Sequence, residues 1–388
     1  MPDTGSSTNE ATVHRGLEGV IVAETTISSV DGTAGRLAYR GYSIDDLAAH
    51  ATFEEVLYLL WYGTLPTRAQ LDDLRGKLAT HRSLSPTVQN VLRALPTTGA
   101  PIDAQRAVVT AMGMEDPTAL SLERDDVLEK SIRIAAVLPT ALAAYVRLRR
   151  GQEPVEPAPD LDTAANFFYM LFGERQTELR EHALDAYLVL LAEHSMNAST
   201  FSARVTISTI SDLYSAISTA LGTLNGDAHG RANQRAMEML LEIGSADNVE
   251  NYVEESLRTK RRLMGLGHRI YKVRDPRVNF LMNYSKQLAD ETGDHTWHDL
   301  AQRLEQVTAQ HPFFLERKLY PNVEFYSAPL LHVLGFDTDM MPAAFAVSRI
   351  GGWSAHVLEQ LEDNRLIRPA ARYVGPEHLT YVPIDQRG

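Results

Sequence analysis

Apolar positions recur along most of this chain at the three- and four-residue spacing of helices, not the two-residue spacing of strands. From Ile44 onward this periodicity dominates, and Val56, Leu59 and Leu60 share one face. Leu213, Ile217, Leu221 and Leu224 predict a helix over 211–224, capped by Ser211 or Asp212 and followed by Gly226. Ala232, Ala236, Met239, Leu240 and Ile243 predict another over 231–243. A third is expected to open at Asp275-Pro276, a capping carboxylate followed by proline at the first helical position. Residues 19–27 are rich in β-formers and run into the turn Asp31-Gly32, which predicts one short hairpin. Residues 151–160, with Pro154, Pro157 and Pro159, read as a loop. The apolar stretch 134–146 is short, and Pro139 is expected to interrupt it, so no membrane span is predicted. Strand runs are too few for a doubly wound sheet. The expectation is an all-α protein.

Composition narrows the partners. Over 388 residues the formal net charge is -13, which argues against general nucleic-acid binding, since phosphate contacts need a basic footprint. Only six of the 37 basic residues are lysines. That bias suits either solubility at high salt or a GC-rich genome, and says nothing about fold. The absence of cysteine removes disulfides, thiolate nucleophiles and cysteine metal sites together. The first fifteen residues are polar and read as a loose tail without the pattern of a signal peptide, so a cytoplasmic protein is expected.

Against that acidic background, residues 258–277 carry Arg258, Lys260, Arg261, Arg262, Arg269, Lys272, Arg274 and Arg277 with one acid, Asp275. The segment is either a place for a multiply charged anion or a solvated basic face. It contains Gly265-Leu266-Gly267-His268, a bend where backbone can approach a ligand. Arg277 is expected in the first turn of the next helix, where amide N–H groups favour an anion. Neither a Walker A nor a GxGxxG pattern is present, so a dinucleotide or nucleoside triphosphate is not indicated.

Other candidates stand alone along the chain. His229 lies between two predicted helices, near the start of the second, a place that disfavours imidazolium and suits a neutral hydrogen-bond donor. By itself it reads equally as an incidental loop histidine, and His194, near the end of an apolar helix, as a satisfied core histidine. His295 and His298 have a metal-pair spacing without an evident third ligand. Glu324 sits in the apolar run Val323-Glu324-Phe325-Tyr326, where desolvation would raise its pKa toward that of a general base. Arg349 and Arg368 bracket a predicted helix around 355–361, and each alone reads as a surface arginine.

Longer motifs join these residues. Gly16-Leu17-Glu18-Gly19-Val20 with Tyr39-Arg40-Gly41-Tyr42, the run His194 to Phe201, Gly267-His268-Arg269-Ile270-Tyr271-Lys272 through Arg277, and Ser348-Arg349 through Glu362-Asp363-Asn364-Arg365-Leu366-Ile367-Arg368-Pro369 occur in one order. Over about 16–375 the chain resembles citrate synthases of the shorter archaeal and Gram-positive type. The resemblance implies a nearly all-helical homodimer, with a large domain from 16–225 and 335–388 and a small domain from 226–334. It implies condensation of acetyl-CoA with oxaloacetate in the tricarboxylic acid cycle, by an acyltransferase needing no metal or cofactor. His194, Arg277 and Arg349 would hold oxaloacetate, with Arg368 reaching the partner subunit's site. His268 would polarise the ketone, His229 would stabilise the enol, and Glu324 would take the methyl proton. Arg269 and Lys272 would face the CoA phosphates.

Two positions depart from the family's pattern. Its base is an aspartate followed by Phe-Tyr-Ser-Gly, where this chain has Glu324 and then Ala328. Arg231 follows His229-Gly230, where the family has a second glycine. These departures motivate a second reading, a paralogue that binds oxaloacetate or CoA without turnover in a regulatory role; a 2-methylcitrate synthase using propionyl-CoA, the same chemistry with one more methylene, is a further alternative.

Overall fold

The computed structural model describes residues 12–388, so the first eleven positions of the expected tail lie outside the described residues. Thr25–Leu366 forms one compact unit; a second comprises the chain's ends, Met1–Glu24 with Ile367–Gly388.

Thr25–Leu366 is built from α-helices whose starts are written in the sequence. Thr52 caps Phe53–Tyr62 and Thr67 caps Arg68–His81, each with the reciprocal bond from Glu55 or Gln70 that closes a capping box. Asp162, Asn197 and Asp212 each accept the amide of the third residue of the helix that follows. The helix expected over 211–224 is Leu213–Leu224 with Asp212 as its cap, and the one expected over 231–243 is Ala232–Ile243.

Three expectations are corrected. Pro139 does not interrupt the apolar stretch: it lies inside one 26-residue helix, Arg124–Arg149, with every residue from 134 to 146 buried. The packing of neighbouring helices on all sides offsets a mid-helix proline that costs about 3 kcal/mol. This helix is long and apolar enough to cross a membrane, yet 83% of its most apolar window is buried, as in the core helix of a globular protein. The hairpin's first strand is not 19–27 but β1 (Ser28–Asp31), antiparallel to β2 (Arg36–Tyr39), which continues to β3 (Tyr42–Ser43). The ladder stops at Ser28 because the Thr26 amide is taken by Glu359 Oε1 at 2.8 Å. The helix expected at Asp275 begins at Val278, with Arg277 as its N-cap residue.

Met341–Glu362 runs through the centre, against Arg124–Arg149, Phe53–Tyr62, Glu178–Leu191 and Ala198–Ser208. Its close approach at Gly352 is obligatory. A Cβ there would stand 2.2 Å from Glu193 Oε2 and 2.6 Å from Ala192 O. That contact sets the segment before His194 directly on the helix that carries Arg349.

Among its described residues the second unit has short 3₁₀ turns at Arg15–Leu17 and Ile384–Gln386 and otherwise irregular backbone. It exposes Ile21, Val374, Leu379 and Tyr381, and Arg368 is exposed within it.

Candidate active site

Helix Glu178–Leu191 ends just before His194, and its last carbonyls need donors. The central helix supplies them: Ser348 Oγ donates to Leu188 O at 2.5 Å and Arg349 Nε to Leu191 O at 2.7 Å. Arg349 is thus no helix-flanking surface arginine. It is buried inside Met341–Glu362, fixed by its Nε and by the Phe345 ring 4.7 Å away, with both Nη nitrogens free of any partner among the described residues. Burial lowers this guanidinium to about 10, the Arg277 charge pressing the same way and Glu193 opposing both.

The turn 265–277 supplies the facing groups. Gly265 and Gly267 take left-handed φ values of 77° and 83°, and Asn322 binds both sides of the bend through Gly265 O and Gly267 O at 2.9 Å. His268 Nδ1 accepts the amides of Ile270 at 3.0 Å and Tyr271 at 3.1 Å. An acceptor at Nδ1 leaves the proton of the neutral ring on Nε2. The ring is neutral because burial lowers its pKa to about 4, helped by Arg277. His194 packs edge-on against it at 5.4 Å between centroids, with its Nε2 3.2 Å from Tyr271 Oη. Burial, then Arg277, His268 and Arg349, hold His194 well below the usual histidine range.

Arg277 is buried and gripped by Asp275, Nε to Oδ1 at 2.9 Å and Nη2 to Oδ2 at 2.7 Å, which leaves Nη1 unused. Although burial opposes it, this carboxylate keeps the guanidinium firmly charged. Asp275 therefore serves the arginine's side chain more than the helix cap expected of it.

His229 follows Leu213–Leu224 and lies against the start of Ala198–Ser208. Its Nε2 is 2.8 Å from Ser199 Oγ and accepts the Ser199 amide at 3.3 Å. Trp353 Nε1 donates to the same hydroxyl at 3.0 Å. Nε2 as acceptor puts the proton on Nδ1. Burial lowers this ring to about 4 and the Arg349 charge adds to it; the helix end invoked from sequence is not the main cause. Glu324 occupies the first turn of Val323–Val333, its amide bound by Asn322 Oδ1 at 3.2 Å. Desolvation raises its pKa, with Arg277 pulling the other way.

The basic run resolves into two classes. Arg258 pairs with Glu255, Arg261 with Glu242, Arg274 with Glu305 and Arg277 with Asp275. Two local acids, Glu255 and Asp275, and two distant ones, Glu242 and Glu305, neutralise half of what looked like a uniform cationic face. Lys260, Arg262, Arg269 and Lys272 remain exposed, without a carboxylate partner among the described residues. Arg231 turns back onto Asn225 Oδ1 at 3.0 Å and toward Asp227. His295 lies 3.7 Å from Asp290 while His298 is buried against Ser285, and no group of three or more candidate ligands among the described residues is placed to hold a metal. Arg368 belongs to the second unit.

Ser199, Tyr271 and Trp353 had no role assigned from sequence, and Asp275 only that of a helix cap. Ser199 carried one legible signal, its place just after the capping residue Asn197, where an amide is left free for another acceptor. What the cluster can do is bind a small molecule with more than one anionic group, through two charged guanidinium groups, while presenting two neutral imidazole N–H donors of fixed tautomer beside a desolvated carboxylate.

A family model described as citrate synthase, C-terminal domain, matches residues 16–370. The chain is 48% identical to a citrate synthase of Haloferax volcanii over 96% of this chain and 98% of that one. It is 38% identical to 2-methylcitrate synthase 1 of Corynebacterium glutamicum, over 98% of this chain and 100% of the relative. A ternary complex of citrate synthase from Thermoplasma acidophilum with carboxymethyl coenzyme A and oxaloacetate superposes with a TM-score of 0.91 at 32% identity, over 97% of this chain and 100% of that one.

Proposed function

Since this chain belongs to the citrate synthase family, we propose that the cluster around His194, His268 and Arg349 is where acetyl-CoA is condensed with oxaloacetate. The protein is an acyltransferase of the citrate synthase type. The observation that carries the site assignment is the pair of buried guanidinium groups, Arg277 and Arg349, acting on one neutral histidine pair. Asp275 already pairs with Arg277, yet Arg277 Nη1 and both Nη nitrogens of Arg349 keep their N–H groups unused in a desolvated place, donors that suit a ligand with two carboxylates, as oxaloacetate has.

Arg349 offers both Nη nitrogens, Arg277 offers Nη1, and His194 completes the grip. The Nε2–H of His268 donates to the ketone oxygen, drawing electron density from the carbon to be attacked. The Nδ1–H of His229 donates to the thioester oxygen, so that removal of a methyl proton by the Glu324 carboxylate leaves a stabilised enol. The enol carbon forms the new carbon–carbon bond and the ketone oxygen takes a proton. Hydrolysis of the resulting thioester then yields citrate and free CoA. Arg269 and Lys272, exposed and without carboxylate partners, meet CoA phosphates in this reading. It calls on no metal or prosthetic group.

Residues 226–334 form the small domain in this reading, and 16–225 with 335–388 the large one. The active form is a cytoplasmic homodimer in which the exposed Arg368 serves the partner subunit's site. Light scattering gives the assembly, and an Arg368→Ala chain mixed with an Arg349→Leu chain recovers activity only if the site is shared.

Thiol release from acetyl-CoA plus oxaloacetate tests the chemistry, with no background because the chain lacks cysteine. Turnover in wild type, lost in Glu324→Gln, is expected. Silence in wild type with turnover in Glu324→Asp would deny glutamate the role of base for this substrate. A 2-methylcitrate synthase among the relatives is consistent with a second reading in which propionyl-CoA is the acyl donor. One methylene is worth only about 1–3 kcal/mol, so kcat/KM for the two acyl-CoAs decides the substrate.

A further inference from the structure

The hairpin ahead of the first long helix touches both histidine turns. At one end of β1, Ser28 Oγ donates to Glu193 Oε1 at 2.9 Å and accepts the Ser195 amide at 3.1 Å. A single hydroxyl so bridges the residues on either side of His194, and Ser195 is held there in a left-handed conformation with φ 50°. From β2, Tyr39 Oη donates to Leu190 O at 3.1 Å and receives the Glu193 amide at 3.3 Å.

Just past the other end of β1, Gly32 O accepts the Lys272 amide at 2.9 Å. The two preceding amides, of Ile270 and Tyr271, are those that bind His268 Nδ1. Gly32 also lies flat on this turn, since a Cβ would stand 2.2 Å from Ile270 O. The tip is kept in shape by Asp31 Oδ1, which accepts the amides of Thr33 at 3.0 Å and Ala34 at 2.8 Å.

We propose that β1 is a brace fixing the His194 turn relative to the His268 turn, with Ser28 and Gly32 as positioning residues. The reason is mechanical. A paired strand has a set rise of about 3.3 Å per residue, and pairing with β2 from Ser28↔Tyr39 to Asp31↔Arg36 removes its freedom to stretch. Both turns are irregular and have other anchors, Asn322 on one and the central helix at Gly352 on the other, and β1 with its tip is hydrogen-bonded to both. Anchoring each to one ladder holds the two rings at their 5.4 Å separation and keeps the 270–272 amides on His268 Nδ1. The proposal rests on the reading that both histidines act on one ligand.

Nitrogen-15 NMR of the histidine rings in the ligand-free protein tests the brace without any substrate, with His268→Gln identifying the signal. Wild type should show His268 with its proton on Nε2. Gly32→Ala, which pushes Ile270 away, should mix the two tautomers. Asp31→Ala loosens the tip without added bulk and carries the same test should Gly32→Ala not fold, while Asp31→Asn keeps the acceptor and should restore the wild-type signal. In kinetics, Ser28→Ala should raise the oxaloacetate KM about tenfold and leave the acyl-CoA KM within about twofold, with Ser28→Thr recovering most of it. An unchanged His268 tautomer in the tip variants, or an oxaloacetate KM unmoved in Ser28→Ala, would overturn the brace. A wild type without turnover instead sinks the assigned reaction, and the NMR arm still decides the brace.

Discussion

The Ser199 amide donates to Nε2 of His229 at 3.3 Å, and the Ser199 hydroxyl, which donates to Asn197 Oδ1, lies 2.8 Å from the same nitrogen, so the first turn of one helix sets the proton of a histidine thirty residues away. Trp353, from the central helix, binds the same hydroxyl and removes its freedom to rotate. Ser199→Ala keeps the amide and loses the hydroxyl. It should lower kcat about tenfold while the oxaloacetate KM stays within about twofold, since that substrate sits with His268 and the arginines. Steady-state kinetics with each substrate varied checks this.

Acid should affect rate and stability by separate routes. Glu324 must be ionised to act as a base, and burial raises its pKa. The acid limb of kcat/KM is therefore expected above the ordinary glutamate value of about 4.3. His229 and His268, at about 4, stay neutral through that limb and add no step of their own. An acid limb at or below the ordinary value would contradict a desolvated base.

The same histidines make the folded chain acid-sensitive. Their pKa values are depressed on folding from about 6.5, so between pH 6.5 and about 4 the unfolded chain binds more protons. Stability then rises with pH across this window and is lost as pH falls. Thermal melts from pH 7 down to 4.5 should show a falling Tm. His268→Asn, with one depressed group fewer, should fall less steeply.

Arg349 spends one nitrogen on Leu191 O and keeps two for substrate. Arg349→Leu should raise the oxaloacetate KM about 10–100-fold, the equivalent of a lost charge-assisted carboxylate contact. Arg349→Lys should recover little, because a single ammonium cannot both satisfy the helix end and fork around a carboxylate. Equal KM values for Lys and wild type would remove the bidentate role.

Glu193 lies fully buried in the segment after Glu178–Leu191, packed against the central helix, its Oε1 taken by Ser28 and by His356 Nε2 at 3.0 Å. His356 in turn meets Arg204 Nη1 at 3.0 Å through Nδ1, and Arg204 pairs with Glu359 at 2.8 Å. Despite burial, His356 holds the Glu193 carboxyl below its usual range. Glu193→Ala should cost about 3–5 kcal/mol in urea unfolding, the typical price of stranding one partner of a buried ionic network. A loss under about 1 kcal/mol would mean the network is dispensable.

The residues themselves settled much of this molecule. Period and caps determined the helices: Asp212 before Leu213, Thr52 with Glu55, and Asn197 before the segment that carries Ser199 are local signals needing no tertiary help. Motif order likewise singled out the histidines, the arginines and Glu324 of the proposed site. Local signals failed where distant groups intervened. Pro139 was read as a breaker, because only surrounding helices reveal that its whole neighbourhood is buried. Arg349 was read as helix-flanking, because only packing against Leu191 makes it the donor for another helix's end. The run 258–277 looked uniformly cationic, because Glu242 and Glu305 reach it only through the fold. Which arginine tips stay free, which ring nitrogen holds each proton, and how β1 ties two histidine turns together depend on contacts between residues far apart in the chain. Those contacts act through space, and the order of residues along the chain does not record them.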